Sequence, residues 1–509
     1  MWRDEVRAFS VATKAVSWAS MVGDLHQEGH PVLWYAIVRL AFAIVHSNLI
    51  LPVIALAIGT ATAFVILRYC PFPFWLRLPM VFGTFLGYEL TVVARNYGIG
   101  VLLMLIACVL FSQRATRPLL LGLVLALMAN TSVHAAVASG VVVLIWAMDY
   151  LSDEQRAAFL RVASITGVAL AIVGAAFAIV SARPSPDMIY ATSFRQLGID
   201  RIFSSIAVDP GKGLKGVYLG DIAASGELPL ILFGINPVIM SRIVVDLCLI
   251  SIGWGLWRSW RHLTAMIIAI LCFEVLFGAV YPAALRHQGI VTFLLVGICW
   301  IAARESALSD RVSANRRIAF GLLPMIAIQA IAFPVVIRRH LEHPASSSRA
   351  FAGIIRSTPR LADATLISEP DYLMEPLPYY VANKIYMPRQ HEYHFRVYFD
   401  NGAHRQRDLS LDALIDAADS LGCVTGKPVL LAIGYPDFLT KQEGEAQGAF
   451  HGTTFSWNAA ERARLSTRGR LLGDFEGATT DENYQVFELA PEAPPKCATR
   501  PKVSHEGAL

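Results

Sequence analysis

Long apolar runs separated by short polar segments fill the chain between residues 50 and 337. A helix needs about 20 apolar residues to cross the hydrocarbon of a bilayer, and ten runs approach that length. The pattern therefore predicts a multi-span α-helical membrane bundle of about ten spans. The predicted spans are 50–67, 78–94, 98–113, 118–133, 135–150, 162–182, 237–256, 263–281, 288–302 and 318–337.

The pattern changes after residue 338, where short helical and strand-like stretches alternate. This order is typical of a layered α/β domain, so we predict a C-terminal soluble α/β domain over 338–509. The predicted helices are 349–357, 374–381, 411–421 and 458–466, and the predicted strands are 363–367, 428–433 and 484–489.

Composition agrees with two environments in one chain. Of the 509 residues, 55% are hydrophobic and only 16% are charged, whereas a soluble domain carries about 25% charged residues. The shortage of Asp, Glu and Lys falls on residues 31–337. The net charge of +4 is small, and no basic stripe indicates a nucleic-acid partner.

Arginines in the short loops predict the orientation, because cytoplasmic loops carry an excess of Lys and Arg. One alternate set of loops holds nearly all of them, and we predict that this set is cytoplasmic. The opposite loops hold little beyond Arg95 and Arg286, so they and the domain 338–509 are expected outside, in a bacterial periplasm. A long external loop is predicted at 183–235. The cytoplasmic set is Arg68, Arg77, Arg114, Arg117, Arg156, Arg161, Arg258, Arg261, Arg304, Arg311, Arg316 and Arg317.

The same alternation places residues 1–49 outside, as a first loop. The stretch 31–47 is apolar but contains Arg39 and His46, so we predict a helix lying in the membrane interface, with Trp34 and Tyr35 as interfacial anchors. Met1 then begins on the outer side, so either the short tail is translocated unaided or a first span lies upstream of it, and we favour the second alternative.

Acidic pairs and polar residues in the predicted outer segments are the candidates for chemistry. Asp4 and Glu5 are adjacent carboxylates, and a carboxylate there could act as a general base on a hydroxyl; alternatively, they are an ordinary acidic helix start. Glu28 and His30 precede Pro31, which suits the first position of a helix. These two residues could equally be part of a helix start packed on lipid.

Further candidates lie in or beside the spans, again toward the outer side. Glu89 is an acid within a span, where a charge is costly. Arg95 and Arg286 could present two guanidinium forks that match phosphate oxygens, or Arg95 could simply snorkel to the interface. Tyr97, His134 and His287 could add hydrogen-bond donors or be ordinary buried polar residues. Asp246 and Glu274, two more acids within spans, could pair with Arg or His inside the bundle and have purely structural roles.

The seven cysteines show no CxxC pair, which argues against a zinc site. Five of them lie in or beside apolar segments and are expected to pack there. Cys423 and Cys497 lie in the soluble domain and could form a disulfide if that domain is extracytoplasmic.

Three motifs together resemble the GT-C superfamily of membrane glycosyltransferases, which includes the polyprenyl-phosphate-sugar dependent enzymes related to protein O-mannosyltransferases and to the lipid A aminoarabinose transferase. The first is Trp2-Arg3-Asp4-Glu5. The second is Glu28-Gly29-His30-Pro31-Val32-Leu33-Trp34-Tyr35, which is similar to the family's His-Pro-Pro-Leu motif with Val32 in place of the second proline. The third is Arg95-Asn96-Tyr97. The resemblance covers the first 150 residues well and the rest in general layout.

The resemblance implies transfer of a sugar from a polyprenyl-phosphate carrier to a hydroxyl acceptor. Asp4 would be the catalytic base with Glu5 beside it, and Arg95, Arg286 and His287 would stabilise the phosphate leaving group. A single displacement would invert the anomeric centre. Some relatives use a metal held by acids spaced one residue apart. Asp4 and Glu5 are adjacent, so we expect no metal cofactor. The acceptor would be a lipid, a glycan or a protein.

Other functions remain open at the level of sequence. A transporter or flippase of lipid-linked sugars would use the same lipid and the same cations, but it should show internal repeats, and none is visible. A polysaccharide polymerase or ligase would use the same carriers but typically relies on a large late external loop. A non-enzymatic envelope assembly protein would use the soluble domain to bind a partner.

Overall fold

The computed structural model describes residues 1–186, 188, 198–207, 237–280, 285–306, 310–398, 406–448 and 453–491. The chain divides into two compact units. The helical unit comprises Ser17–Pro186 and Tyr190–Arg338, and the terminal unit comprises Met1–Val16, Asp187–Ile189 and Arg339–Leu509. Most of the predicted loop 183–235 lies outside the described residues.

The helical unit contains six helices that are long and apolar enough to cross a membrane, among the residues described. Several of the other predicted spans correspond to shorter helices. The six are Ile50–Tyr69, Val133–Leu151, Val162–Ser181, Trp260–Val280, Arg286–Glu305 and Arg311–Glu342. The shorter helices of this unit are Trp18–Leu25, Leu33–Val45, Phe74–Val81, Asn96–Phe111, Pro118–Ala129, Asp153–Phe159 and Ile199–Ala207, and Pro237–Leu256 continues the series.

Polar and aromatic contacts join the two ends of four helices of this unit, of which Trp260–Val275 runs opposite to the other three. At one end, which we call the arginine end, Arg114 and Arg261 pair with Asp149, and Arg114 also pairs with Glu305. At the other end, which we call the histidine end, the rings of Tyr97, His134, Phe273 and His287 meet. Each of the helices Asn96–Phe111, Val133–Ala147, Trp260–Val275 and Leu285–Glu305 contributes one residue in or beside each end.

The predicted span 78–94 is not one continuous helix. An α-helix covers Phe74–Val81, a π-helix covers Phe85–Glu89, and turns follow. Close packing accounts for glycine within the break, because a Cβ at Gly87 would lie 2.5 Å from the ring of Phe333. A π-helical turn of this kind is often found at a functional site.

The stretch 31–47 forms the helix Leu33–Val45 of 13 residues, which rises only about 20 Å and is too short to cross a bilayer. Trp34 and Tyr35 are not interfacial anchors, since they are 1% and 2% exposed within the protein. Leu40, Ile44 and Val45 are exposed instead. The expectation about these two aromatic residues was therefore wrong, because the helix turns them into the bundle.

Small residues allow the helices Pro118–Ala129 and Val162–Ser181 to pack closely. A Cβ at Gly122 would overlap the carbonyl oxygen of Gly167 and would lie 2.7 Å from its carbonyl carbon. One turn further on, a Cβ at Gly174 would lie 2.6 Å from the Cα of Ala126. Such spacing of small residues is how helices approach one another in membranes, where no hydrophobic effect drives them together.

A six-stranded mixed sheet organises the terminal unit, in the order β3-β2-β1-β5-β9-β8. β1 lies parallel to β2 and β5, while β3, β9 and β8 are antiparallel to their neighbours. A smaller sheet has the order β4-β7-β6. The strands are β1 Thr365–Glu369, β2 Ile385–Met387, β3 Glu392–Tyr393, β4 Asp408–Ser410, β5 Val429–Ile433, β6 Gly444–Gln447, β7 Thr454–Trp457, β8 Arg470–Phe475 and β9 Tyr484–Leu489.

The large sheet is covered on both faces. Successive side chains of a strand point to opposite faces, and every residue of β1 and β5 is buried. Leu366 and Leu430 face one apolar core with Phe351, and Ile367 and Leu431 face the other. The helix Ser348–Ser357 supplies the first core and Leu411–Thr425 the second. The domain after 338 is thus a layered α/β structure, completed by helices Pro436–Thr440 and Ala459–Arg468 and by 3-10 turns at Asp371–Met374 and Leu377–Tyr379.

The N-terminal helix Arg3–Lys14 belongs to the terminal unit, so the predicted first loop 1–49 is divided between the two units. The Arg7 guanidinium pairs with the Glu375 carboxylate at 2.7 Å, and both side chains are buried. Arg7 also donates to the carbonyl oxygen of Val397 at 2.8 Å. Phe9 meets the ring of Tyr379 with centroids 6.0 Å apart. The helix is therefore part of the domain core rather than a separate segment.

Four of the five cysteines expected to pack in apolar segments are buried, and the expectation was wrong for Cys272, which is exposed. Cys70, Cys108, Cys248, Cys272 and Cys299 are free thiols, and all but Cys272 are buried. Cys423 is disulfide-bonded, while Cys497, its expected partner, lies outside the described residues.

Candidate functional site

The histidine end of the helical unit gathers most of the polar residues that the sequence singled out. The imidazole rings of His134 and His287 stack with centroids 4.3 Å apart. The Tyr97 hydroxyl lies 2.9 Å from Nε2 of His287 in a buried hydrogen bond. Tyr97 and His287 are each 1% exposed, so this contact is part of the interior of the unit.

Two cations and a third histidine extend the cluster. Nη2 of Arg95 lies 3.5 Å from Nε2 of His30, and because arginine only donates, that histidine nitrogen must accept. The Arg95 guanidinium also lies over the Tyr97 ring, 5.7 Å from its centroid. His287 experiences the charges of both Arg95 and Arg286. Both arginines of the predicted outer loops are therefore close enough to His287 to act on its charge.

The polar side chains are placed by helix starts. Arg95 is the N-cap of Asn96–Phe111, and His134 is the second residue of Val133–Ala147, where the Ser132 hydroxyl caps the helix by accepting from the N–H of Ala135. His287 is in the first turn of Leu285–Glu305. Helix N-termini carry a partial positive charge and favour anions. Three of them beside two arginines create a positive environment suited to a phosphate.

Aromatic rings close one side of this cluster. Phe273 stacks parallel to His134 with centroids 6.4 Å apart, and Phe277 lies 5.6 Å from the same ring. Phe277 also stacks on His287 at 6.4 Å. Apolar walls exclude water, which strengthens the electrostatic interactions of groups that remain inside. Neither phenylalanine was singled out from the sequence, because aromatic residues are common throughout apolar spans.

The remaining candidates of the helical unit have varied settings. Glu28 is half-buried in the turn before His30, where Gly29 has a positive φ of 67°. Glu89 is half-buried at the end of the π-helix. Glu274, next to Phe273, is 3% exposed. Asp246 lies on the exposed surface of Pro237–Leu256, so its expected placement inside the bundle was wrong.

Asp4 and Glu5 lie in the terminal unit, and their surroundings differ. The Glu5 carboxylate accepts a hydrogen bond from the backbone N–H of Trp2 at 3.0 Å and is buried, so it caps its own helix. Asp4 is half-buried, and its carboxylate lies 3.8 Å from Nε of Arg3. Of the two acids, Glu5 has a clear structural role, which leaves Asp4 as the better candidate for chemistry.

Sequence reasoning missed the buried polar residues around the N-terminal helix. Glu482 is 0% exposed and accepts from the backbone N–H of Arg3 at 2.7 Å. Burial raises the pKa of the Glu482 carboxyl to about 7. The Arg3 side chain lies over the ring of Tyr372 and pairs with Asp481 at 3.2 Å. These contacts join positions more than 360 residues apart, and no local pattern signals them.

A second missed group lies at the carboxyl ends of the parallel strands β1 and β5. Arg389 binds both carboxylate oxygens of Glu369, at 2.8 and 3.0 Å, and Tyr435 donates to the same carboxylate at 2.7 Å. Burial and the neighbouring Glu369 raise the pKa of Tyr435. Arg389 also donates to the carbonyl oxygens of Gln406, Arg407 and Thr454. The group thus fastens the two sheets of the domain together.

Within the described residues, no group of three or more His, Cys, Asp or Glu side chains is arranged to hold a metal ion. Comparison with protein-family models, with curated proteins and with solved structures finds no match. The resemblance to the GT-C superfamily therefore rests on the three motifs alone.

Proposed function

We propose that the chain is a membrane glycosyltransferase that moves a sugar from a polyprenyl-phosphate carrier to a hydroxyl acceptor on the outer face of a bacterial plasma membrane. The observation that carries the proposal is the histidine end, where Tyr97 contacts both the Arg95 guanidinium and His287, the chain neighbour of Arg286, beside three helix N-termini. A phosphate leaving group needs such positive charge at the position where its own negative charge develops.

In the proposed reaction the acceptor hydroxyl attacks the anomeric carbon of the donor sugar. The new carbon–oxygen bond forms as the bond from the anomeric carbon to the phosphate oxygen breaks. The polyprenyl phosphate leaves with the electron pair, and the hydroxyl proton passes to the carboxylate of Asp4. One base and one attacking hydroxyl give a single displacement with inversion.

The proposed roles follow from the settings of the side chains. Arg95 and Arg286 would bind phosphate oxygens, since a guanidinium fork matches them in geometry. Tyr97 and His134 would hold the His287 ring in place, and His30 would do the same for Arg95. Glu28 and Glu89 would bind sugar hydroxyls, for which half-buried carboxylates are suitable acceptors. No metal ion has a role in this scheme.

The proposal includes a location. The apolar helices would form a multi-pass bundle in the inner membrane, and the domain after 338 would lie in the periplasm and help bind the acceptor. The disulfide of Cys423 supports an oxidising compartment, because disulfides persist there and are rare in the cytosol. Cysteine labelling tests this location, and reaction of a cysteine introduced at position 443 from the cytoplasmic side only would refute it.

The central experiment measures sugar transfer from a panel of radiolabelled polyprenyl-phosphate sugars to envelope extracts by the purified full chain. Asp4 belongs to the terminal unit and the arginines belong to the helical unit, so separate variants test the two assignments. We expect Asp4→Asn to abolish transfer while donor binding survives. We expect Arg95→Gln with Arg286→Gln to weaken donor binding as well as transfer.

Matched controls are available in the same elements. Glu5→Gln retains an oxygen that can accept from Trp2, so it should transfer sugar nearly normally, and Arg39→Gln removes a guanidinium of the helical unit that lies over Trp18. Equal transfer by the wild type and Asp4→Asn would show that Asp4 is not the base. Donor binding without turnover of any donor would favour a transporter or flippase, and joining of long glycans would favour a polymerase or ligase. If the wild type binds none of the donors, an envelope assembly protein would be favoured.

A further inference from the structure

A pocket of about 320 Å³ opens at the arginine end of the helical unit. Its volume falls in the range of about 300–1,000 Å³ typical of small-molecule sites. Arg258, Arg261, His262, Glu305, Asp310 and Arg317 line it together with serine hydroxyls. The pocket is separate from the histidine end, since the 18 residues from His287 to Glu305 span roughly 27 Å of helix.

Ion pairs of residues in the pocket wall account for some of the charges there. Glu305 pairs with Arg114 at 2.5 Å and with His262 at 3.2 Å, and Arg261 pairs with Asp149. Arg258 and Arg317 have no carboxylate partner among the described residues. Arg258 lies over the Trp257 ring, and Nε of Arg317 donates to the carbonyl oxygen of Gly255. Two guanidinium groups thus line the pocket with Asp310 as the remaining acid.

One buried ring nitrogen of His262 in the pocket wall also lacks a hydrogen-bond partner among the described residues. His262 is 4% exposed, and its Nδ1 makes no hydrogen bond with any part of the chain that the structure describes. A buried polar atom without a partner is costly, so a bound group that pairs with it would stabilise the site. This atom provides evidence for a ligand that is independent of the arginine charges.

Two helix starts add to the positive potential. The helices Trp260–Val275 and Arg311–Glu342 both begin at the pocket wall. Ser259 is the N-cap of the first helix, yet its side chain makes no capping hydrogen bond, so the hydroxyl can serve a ligand. Helix N-termini, hydroxyls and arginine forks together form the usual donor set of a phosphate site.

The surroundings indicate that the phosphate belongs to a lipid. Trp260 lines the pocket and is 56% exposed, and Trp254 and Trp257, shortly before Arg258 in the chain, are 55% and 59% exposed. Tryptophan is enriched at the level of lipid headgroups, where one side of the ring is apolar and the other is wet. Basic pockets between membrane helices on the cytoplasmic side are suited to anionic headgroups.

We propose that this pocket binds the phosphate of an anionic phospholipid, held by Arg258 and Arg317 with His262 as an additional hydrogen-bonding partner. The site is independent of sugar transfer, so it stands or falls separately from the proposed function. Its occupant would link the starts of the helices Trp260–Val275 and Arg311–Glu342 at this end of the bundle.

The test measures binding of short-chain phosphatidylglycerol to the detergent-purified full chain by native mass spectrometry, with phosphatidylcholine of the same chain length and inorganic phosphate as comparison ligands. We expect the wild type to prefer phosphatidylglycerol by at least about tenfold, because both lipids carry the same phosphodiester but phosphatidylcholine also brings a trimethylammonium charge that the arginines repel. A tenfold preference corresponds to about 1.4 kcal/mol. Inorganic phosphate that binds as tightly as phosphatidylglycerol would overturn the assignment to a lipid.

Two double variants with equal loss of charge decide whether the pocket is the site. Arg258→Gln with Arg317→Gln should remove the preference for phosphatidylglycerol. Arg68→Gln with Arg316→Gln should keep it, because both residues are exposed, lie in the same set of loops and are outside the pocket; Arg68 also lies over an adjacent ring, that of Tyr69. Equal loss in both variants, or in neither, would overturn the proposal. If the pocket variant does not fold, the single variants Arg258→Gln and Arg317→Gln replace it, and an unchanged preference in both would also overturn the proposal.

Discussion

The imidazole rings of His134 and His287 stack at a centroid separation of 4.3 Å with their planes 10° apart. These residues begin two different helices and are 153 positions apart in the chain, so the contact fixes the relative register of those helices at one end. Tyr97, from a third helix start, then bonds to Nε2 of His287. The stack therefore holds together the helix starts near which Arg95 and Arg286 lie.

The first prediction concerns the hydrogen bond between Tyr97 and His287. Tyr97→Phe and His287→Phe should each destabilise the chain, and the double variant should cost less than the sum of the two. Buried hydrogen bonds between membrane helices couple by about 0.6 kcal/mol on average, up to about 1.7. We expect a coupling in that range, measured by a double-mutant cycle on unfolding of the purified chain.

The same cycle with Tyr69→Phe in place of Tyr97→Phe serves as its control, because Tyr69 lies at the arginine end. Additive effects for Tyr69 and His287, beside coupled effects for Tyr97 and His287, are the expected result. If Tyr97 and His287 were also additive, the hydrogen bond would contribute nothing to the stability of the bundle.

The second prediction concerns the close approach at Gly122. Gly122→Ala should destabilise the helical unit by about 1–3 kcal/mol, since overpacking forces the backbone apart. Gly140→Ala provides the comparison. Gly140 is exposed in the helix Val133–Ala147, and a Cβ there meets nothing within 4 Å. Alanine at that position should be neutral or stabilising, by up to about 1 kcal/mol, because glycine is the weaker helix former.

Thermal unfolding of both glycine variants in the same detergent compares their stabilities directly. Equal transition temperatures would mean that the helices Pro118–Ala129 and Val162–Ser181 are not packed as closely as the structure has them.

The third prediction concerns the buried ion pair of Arg7 and Glu375. Arg7→Met removes the guanidinium that pairs with the Glu375 carboxylate, which is 1% exposed. Removing one partner of a buried pair typically costs about 3–5 kcal/mol. We therefore expect a loss of that size in the terminal unit, with early proteolysis of the helix Arg3–Lys14. Glu375→Gln combined with Arg7→Met should recover part of the loss.

Arg356→Met is the matched control, since Arg356 is an exposed arginine in the same unit. Surface substitutions usually change stability by less than about 0.5 kcal/mol. A loss for Arg7→Met no larger than that of Arg356→Met would show that the N-terminal helix is not held by this pair.

The sequence predicted the features that depend on short-range pattern. The central strands β1, β5 and β9 were found because they are short apolar runs, and the edge strands β3 and β8 were missed because their residues are more exposed. Arg95, His134 and His287 were found because polar residues in or beside apolar segments are costly there and often functional. Their meeting also follows from the alternation of spans, which places their helix starts on one side.

The sequence could not predict that the helix Arg3–Lys14 packs in the terminal unit. The acidic pair of this helix, Asp4 and Glu5, is compatible both with a catalytic motif and with an ordinary helix start. The helix is held in the terminal unit by Arg7, whose partner Glu375 is 368 positions away. The break after Val81 was also missed, because hydropathy does not distinguish a π-helix from an α-helix. The pocket at the arginine end was missed because arginines in cytoplasmic loops are expected from membrane orientation alone.

The last prediction concerns pH and the buried carboxyl of Glu482. Burial raises its pKa in the folded chain from an ordinary value near 4.5 to about 7. Below pH 4.5 both the folded and the unfolded chain hold the proton. Between pH 4.5 and 7 the unfolded chain releases it while the folded chain retains it, so the stability from this group falls as the pH rises. Each pH unit in this window changes the folding equilibrium tenfold, which corresponds to about 1.4 kcal/mol. The free energy of unfolding should therefore fall by on the order of 3 kcal/mol across the window.

Glu482→Gln should remove this pH dependence, because glutamine carries no proton to lose and its oxygen can still accept from the N–H of Arg3. At pH 7 the variant should therefore unfold at a higher temperature than the wild type, and near pH 4.5 the two should coincide. Glu443→Gln, at an exposed position of the same unit, should follow the wild type throughout. The measurement is the unfolding temperature of the terminal unit at each pH from 4.5 to 7.5. Parallel curves of unfolding temperature against pH for the wild type and Glu482→Gln would show that Glu482 is already ionised where the N-terminal helix meets the domain.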